Sequence, residues 1–95
     1  MIATAIAAYK YNHITTDTTT VVKSGAGVLH NICVNTPTAT ETVTIYDNTA
    51  ASGTVIAVLT SYASVPGCAE LDVVFTTGLT IVTATAAGDI TVAYM

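Results

Sequence analysis

Polar and apolar residues alternate along most of this 95-residue chain with the two-residue period of β-strands. Val43 and Ile45, for example, alternate with the more polar Thr42, Thr44 and Tyr46, so the two aliphatic residues should face a core. Similar segments follow at regular spacing, each ended by Gly, Pro, Asn or Asp residues that favour turns. No segment has a convincing helical period. The pattern predicts seven strands, over residues 18–23, 28–35, 41–47, 54–60, 70–75, 79–83 and 90–94.

Regularly spaced short strands indicate a small all-β domain. We expect a single β-sandwich or jelly-roll-like fold of about seven to eight antiparallel strands over residues 18–95. Residues 1–17 lack a clear strand pattern, and their Thr and Ile residues weaken a helical assignment for the Ala-rich start. We therefore assign residues 1–17 to an extended N-terminal arm.

Alternation along one strand also predicts which side chains are buried. From residue 28 onward, the residues expected to face the core are Val28, His30, Ile32 and Val34. His30 is therefore expected to be a core or interface histidine.

Several strands are apolar on both faces, notably residues 55–59 and 73–75. A two-layer sandwich usually exposes one polar face of each sheet, and a chain of this size buries only about two-thirds of its unfolded surface. We therefore predict a subunit interface that includes Val55, Ala57, Leu59 and Val74. The alternative is that these aliphatic residues simply lie exposed, because most protein surface is apolar.

Charge is scarce, at 8% of residues against about 25% in an average soluble domain. Lys10 and Lys23 are the only basic side chains and the net charge is -4, so phosphate neutralisation cannot drive nucleic-acid binding. The apolar opening segment lacks the basic region of a signal peptide and is shorter than a membrane span of about 20 residues. We expect no nucleic-acid or membrane partner, and a protein made in a cytoplasm.

Residues that could carry chemistry are few and scattered. The carboxylate nearest to His13 in sequence is Asp17, but a hydrolytic pair would also need a substrate pocket and an oxyanion site that no motif indicates. His30 and Cys33 are three residues apart, which places them on opposite faces of a regular strand and argues against a shared metal. The loop at residues 47–48 offers oxygens to Ca²⁺, but such a loop is more often an Asx turn. We predict no catalytic, cofactor-binding or metal-ligating residue, and no enzymatic activity.

Cys33 and Cys68 are the only cysteines. Their spacing does not match a metal or redox motif. Pairing is open on sequence grounds, and we expect two reduced, partly buried thiols.

Four segments together carry a resemblance to a known class of protein. They are TTTVVKSGAGVLH at residues 18–30, TIYDNTAASGT at 44–54, FTTGLTIV at 75–82 and DITVAY at 89–94. The chain from about residue 18 onward resembles small all-β virion proteins of tailed bacteriophages, in particular capsid decoration (cement) and head-fibre-type proteins. The resemblance implies a non-enzymatic subunit on the capsid surface that bridges major capsid subunits, often as a homotrimer.

The N-terminal arm is the segment we expect to contact the capsid or a neighbouring copy, through Ile2, Ile6, Tyr9, Tyr11 and His13. The alternative for this segment is a frayed terminus.

Two other function classes remain open. One is a host-surface carbohydrate-binding module, in which exposed Tyr46 and Tyr62 would contact sugar. The other is a tail or head-completion structural component.

Overall fold

The protein folds into eight antiparallel strands arranged in two four-stranded sheets. The structure is a computed structural model and describes residues 8–36, 42–60, 67–84 and 88–95. No helix occurs in these ranges. In chain order the strands are β1 (Lys10–Ile14), β2 (Thr18–Ser24), β3 (Gly27–Thr36), β4 (Thr42–Asp47), β5 (Thr54–Thr60), β6 (Gly67–Phe75), β7 (Gly78–Ala84) and β8 (Asp89–Tyr94). The prediction of an all-β sandwich is confirmed.

Strand pairing is nested around the β4–β5 hairpin. Each antiparallel pair encloses the next one, as in a single long hairpin. From the outermost to the innermost, the pairs are β1–β8, β2–β7, β3–β6 and β4–β5. Folding that hairpin over itself sends alternate pairs to opposite sheets, and β8 and β7 then pair with β3 and β4. The resulting strand orders are β1-β8-β3-β6 in the first sheet and β2-β7-β4-β5 in the second. Eight strands in this arrangement form a jelly roll.

The core lies between the two sheets and consists of one cluster of apolar side chains. Its fully or nearly buried members come from both sheets: Ile14, Leu29, Ile32, Val34, Val43, Ile45, Phe75, Leu79, Ile81, Ile90 and Val92. Within β4, the predicted inward positions Val43 and Ile45 are both fully buried. Because strand side chains alternate in direction, filling this core leaves every other residue for the two outer faces.

Strand β1 differs from the sequence-based division of the chain. Residues 10–14 were assigned to the arm, but they pair with β8 along their whole length, and Ile14 is only 5% exposed. The described part of the segment 1–17 is therefore largely part of the domain. The alternation was hidden because Ile14 is the only aliphatic residue in this strand.

Strand β3 changes face partway along its length. Leu29, Ile32 and Val34 face the core, whereas Val28 and His30 lie on the outer side. The prediction that Val28 and His30 face the core is therefore wrong. The physical cause is a register irregularity between Leu29 and Asn31 in the pairing with both β6 and β8.

A disulfide joins Cys33 in β3 to Cys68 in β6. The two residues lie directly opposite each other in the strand register, with Cα atoms 3.9 Å apart. The expectation of two reduced thiols is therefore wrong. Sequence spacing could not show the pairing, because it depends on the register of strands that are 35 residues apart. The bond ties the edge strand β6 to its neighbour.

Asp47 ties the β4–β5 loop to the β6–β7 turn. Its Oδ1 accepts backbone hydrogen bonds from Thr77 at 2.8 Å and Thr76 at 3.1 Å, with a longer one from Gly78 at 3.4 Å. These bonds, led by the one from Thr77, hold the pKa of the Asp47 carboxyl below its usual value. Gly78 allows the backbone at Asn48 to approach the β6–β7 turn closely, because a Cβ on residue 78 would lie 3.0 Å from the Asn48 carbonyl oxygen. The loop is thus anchored by amide donors, which is not the environment of a Ca²⁺ ligand.

Removing the disulfide should destabilise the fold. The bond closes a loop of 35 residues in the unfolded chain, and chain-entropy arguments give a stabilisation of about 3–4 kcal/mol for a loop of that length. We expect the double variant Cys33→Ala, Cys68→Ala to lose about that much unfolding free energy in urea titrations. Adding a reductant should destabilise the wild-type protein and leave the variant unchanged. Equal unfolding free energies for the variant and for wild-type protein without reductant would contradict the presence of the bond.

Asp47 should contribute to acid sensitivity. Its pKa is lower in the folded than in the unfolded protein, so the unfolded state binds more protons in acid. The stability it contributes is therefore present above the unfolded pKa and is lost as pH falls through the lower, folded pKa. We expect Asp47→Asn to lower the melting temperature at pH 7 and to flatten its decline in acid. Asp17→Asn, on the exposed turn after β1, is the control and should behave as wild type.

Candidate functional site

The outer faces of the two sheets differ in chemistry. We call the outer surface of the first sheet the polar face. Its polar and aromatic members are Tyr11, His13, His30, Asn31, Asn35, Glu70, Asp72, Asp89 and Thr91, and Val28 and Val74 lie on it as well. We call the outward positions of the second sheet the uncharged face; they are Thr19, Val21, Thr44, Tyr46, Val55, Val58, Thr80 and Val82, of which Thr80 is fully buried. These two surfaces are the candidate functional sites of the chain.

On the polar face, Asp89 joins three neighbouring strands. Its Oδ1 lies 2.5 Å from Nε2 of His13 in β1 and accepts a hydrogen bond from Asn35 in β3 at 3.0 Å. Asn35 also donates to the Thr91 hydroxyl at 2.9 Å. The hydrogen bond from Asn35, followed by that from His13, lowers the pKa of the Asp89 carboxyl. Asp89, rather than Asp17, is therefore the carboxylate paired with His13.

A second histidine–aspartate pair lies where β3 changes face. Nδ1 of His30 is 2.5 Å from Oδ1 of Asp72, and the ring of Tyr9 stacks on the imidazole with centroids 4.3 Å apart and planes 13° from parallel. Asp72 has a φ of +49°, which is unusual for a residue other than glycine and is better tolerated by Asp and Asn than by most others. This backbone conformation lies at the register irregularity between β3 and β6 and points the carboxylate toward His30.

Chemically, each pair could orient an imidazole, as carboxylates do for histidines in many sites. Both pairs lie open on the sheet: the His13 side chain is 49% exposed, and the described residues enclose no cavity. No group of three metal-ligating side chains occurs in the described part of the chain either. In this structure each pair links neighbouring strands across the sheet, and the imidazole of His30 also stacks on the ring of Tyr9.

The uncharged face consists of two complete rows of residues, each crossing all four strands. One row runs Thr19, Val82, Thr44, Val58 and the other Val21, Thr80, Tyr46, Val55. Neither row contains a charged side chain. Val21, Val58 and Val55 are 50%, 51% and 46% exposed, so about half of each aliphatic surface meets solvent in the isolated chain.

The residues predicted for the arm contact are only partly described. Ile2 and Ile6 lie outside the described residues. Tyr9, Tyr11 and His13 belong to one region of the first sheet, with Tyr11 72% exposed on the polar face. The contact with a capsid or neighbour stays a prediction for these three.

The residues predicted for the subunit interface do not form one patch. Val55 is on the uncharged face, but Val74 is on the outer side of β6 in the other sheet, 71% exposed. Ala57 and Leu59 point inward and pack against the core. The unbroken apolar run in β5 arises in part from a register irregularity that leaves Ile56 as an extra residue beside β4. Ile56 packs against the core as well.

Sequence reasoning missed the partners of both histidines. Asp72 and Asp89 are 42 and 76 residues from His30 and His13, and only the strand pairing brings them together. The alternation in β3 and β8 indicates that these segments are strands, but no sequence signal indicates which of their residues lie opposite each other. Of the tyrosines considered for sugar contact, Tyr46 is half-buried on the uncharged face and Tyr62 lies outside the described residues.

No protein-family model, curated protein or solved structure matches this chain. In the described ranges, no helix is long and apolar enough to cross a membrane.

The backbone conformation of Asp72 can be tested with two variants. Asp72→Ala and Asp72→Gly both remove the carboxylate that holds His30, but only glycine adopts a φ near +49° without steric cost. We expect the Ala variant to be about 1 kcal/mol less stable than the Gly variant in chemical denaturation. Equal stability of the two would contradict strain at this position.

Proposed function

We propose that this protein is a non-enzymatic structural protein of a bacteriophage virion, which decorates and stabilises the outer surface of the capsid by bridging major capsid subunits. In this proposal the protein acts as a homo-oligomer, with the major capsid protein and its own copies as partners. Enzymatic chemistry plays no part in the role.

The observation that carries the proposal is the uncharged face. Surfaces that stay free in solution usually carry charges of both signs, whereas an extended uncharged surface that contains apolar residues is typical of a protein contact site. Here two rows of Val, Thr and Tyr cross an entire sheet, and three of their four valines, Val21, Val55 and Val58, are about half exposed. The polar face, which carries His13, His30, Glu70, Asp72 and Asp89, lies on the opposite side of the sandwich. Such a two-sided subunit suits a position between a protein shell and solvent.

Two further features agree with this role. Jelly rolls recur in viral capsid proteins, and residues 18–94 resemble virion proteins. The Cys33–Cys68 disulfide requires oxidising surroundings to persist. A particle released from its host cell meets such surroundings.

The proposal is tested on particles of the phage that encodes the chain. We expect gradient-purified particles to contain the chain in a fixed ratio to the major capsid protein, and particles that lack it to bind it when it is added back. Val21→Lys should weaken this binding roughly tenfold or more, because a charge would be desolvated in the contact. Asn31→Lys adds the same charge on the polar face and should bind as wild type. Absence of the chain from purified particles would overturn the proposal.

A carbohydrate-binding module remains the second candidate, favoured by one observation. Tyr11 is 72% exposed on the polar face, in the same cross-strand row as the amide of Asn31. An exposed aromatic ring beside hydrogen-bonding groups is a plausible chemistry for stacking against a sugar. Saturable glycan binding that Tyr11→Ala abolishes, with no chain in particles, would favour this function over the first.

A further inference from the structure

The two sheets have four edge strands, and three of them carry charged or ionisable side chains. Strand β1 has Lys10 and His13, β6 has Glu70 and Asp72, and β2 has Lys23. Charges on edge strands oppose the addition of a further strand to unpaired backbone groups. Strand β5, with the sequence TVIAVLT, carries none, and among the described residues it pairs only with β4. It is the edge where strand addition is least opposed.

The free edge of β5 can accept a second copy of the same strand in an antiparallel register. In its regular part, Leu59, Val58 and Ala57 lie opposite Val43, Thr44 and Ile45 of β4. An antiparallel copy related by a twofold axis at Val58 would place Ala57 opposite Leu59 of the second copy, and Val58 opposite its own equivalent. Ala57 and Leu59 both pack against the core. In this register the core-facing side of one β5 therefore continues into that of the other, and both copies of Val58 lie on the outer side.

We infer that β5 is a self-association edge, through which two copies of this chain pair antiparallel about a twofold axis at Val58. The contact joins two β2-β7-β4-β5 sheets into one eight-stranded sheet. It makes the two uncharged faces continuous and covers the exposed half of Val58. The register irregularity at Ile56 limits the regular pairing to the second half of the strand, so the contact is short and reversible.

This inference deepens the self-association part of the proposed function but uses only the geometry of β5. A twofold contact is isologous and closes with two copies. It therefore gives two chains or a multiple of two, rather than the three that the resemblance implies.

The test compares two valines of equal exposure at opposite edges of the uncharged face. Val58 in β5 is 51% exposed and Val21 in β2 is 50% exposed. Light scattering coupled to size exclusion, over a concentration series, should show wild-type protein and Val21→Lys approaching the mass of two chains. Val58→Lys should stay at the mass of one chain, half the wild-type value, while its circular dichroism remains that of a folded β-protein.

A cross-linking variant tests the position of the axis and does not depend on losing the contact. Residues directly opposite in an antiparallel pair have Cβ atoms about 4.5–5.5 Å apart, so Val58→Cys should form a covalent dimer under mild oxidation. Val21→Cys is the control and should not. A wild-type protein that stays monomeric, or a wild-type mass that Val58→Lys leaves unchanged, would overturn the inference. A three-chain mass insensitive to Val58→Lys would do so too, while leaving the capsid-decoration proposal intact.

Discussion

Burial of apolar side chains between two sheets, eleven of them among the described residues, is the interaction on which the rest of this structure depends. Each strand contributes its inward positions to that one core, and strand geometry then fixes which residues remain for the outside. As a result, the outer sides of the two sheets carry different types of side chain. His13, His30, Glu70, Asp72 and Asp89 lie on the outer side of the first sheet, together with exposed Tyr11 and Val74, whereas the outward positions of the second sheet hold only Val, Thr and Tyr. The two surfaces are therefore consequences of the same alternation that builds the core.

The sequence patterns predict the parts of the fold that depend on local alternation. The β4 residues Val43 and Ile45 are inward as expected, and all seven predicted strands are present. Strand β1 was missed because Ile14 alone carries its inward signal, while its other residues are polar or aromatic. The reversed orientation of His30 could not be predicted, because an irregularity in strand pairing becomes visible only when the neighbouring strands are in place.

The features of the candidate site that escaped prediction share one cause. The bonds from His13 to Asp89 and from His30 to Asp72, and the disulfide, all join residues that are far apart in sequence and close in register. Residue types identified the participants, since the chain has only two histidines and two cysteines. Their partners were fixed by the jelly-roll pairing, which depends on the whole chain. The outward position of Val55, by contrast, depends only on the pairing within the β4–β5 hairpin, whose two strands are close in sequence.

The nested order of the strand pairs has a mechanical consequence. Tension applied between β1 and β8 acts first on the outermost pair and then on β2–β7, so the pairs separate one after another from the outside inward. Separation stops at the bond between Cys33 and Cys68, because that covalent link carries the force directly from β3 to β6. The β4–β5 hairpin lies inside the link and is shielded from the pull. The disulfide thus limits how far the chain can be extended while its innermost hairpin remains folded.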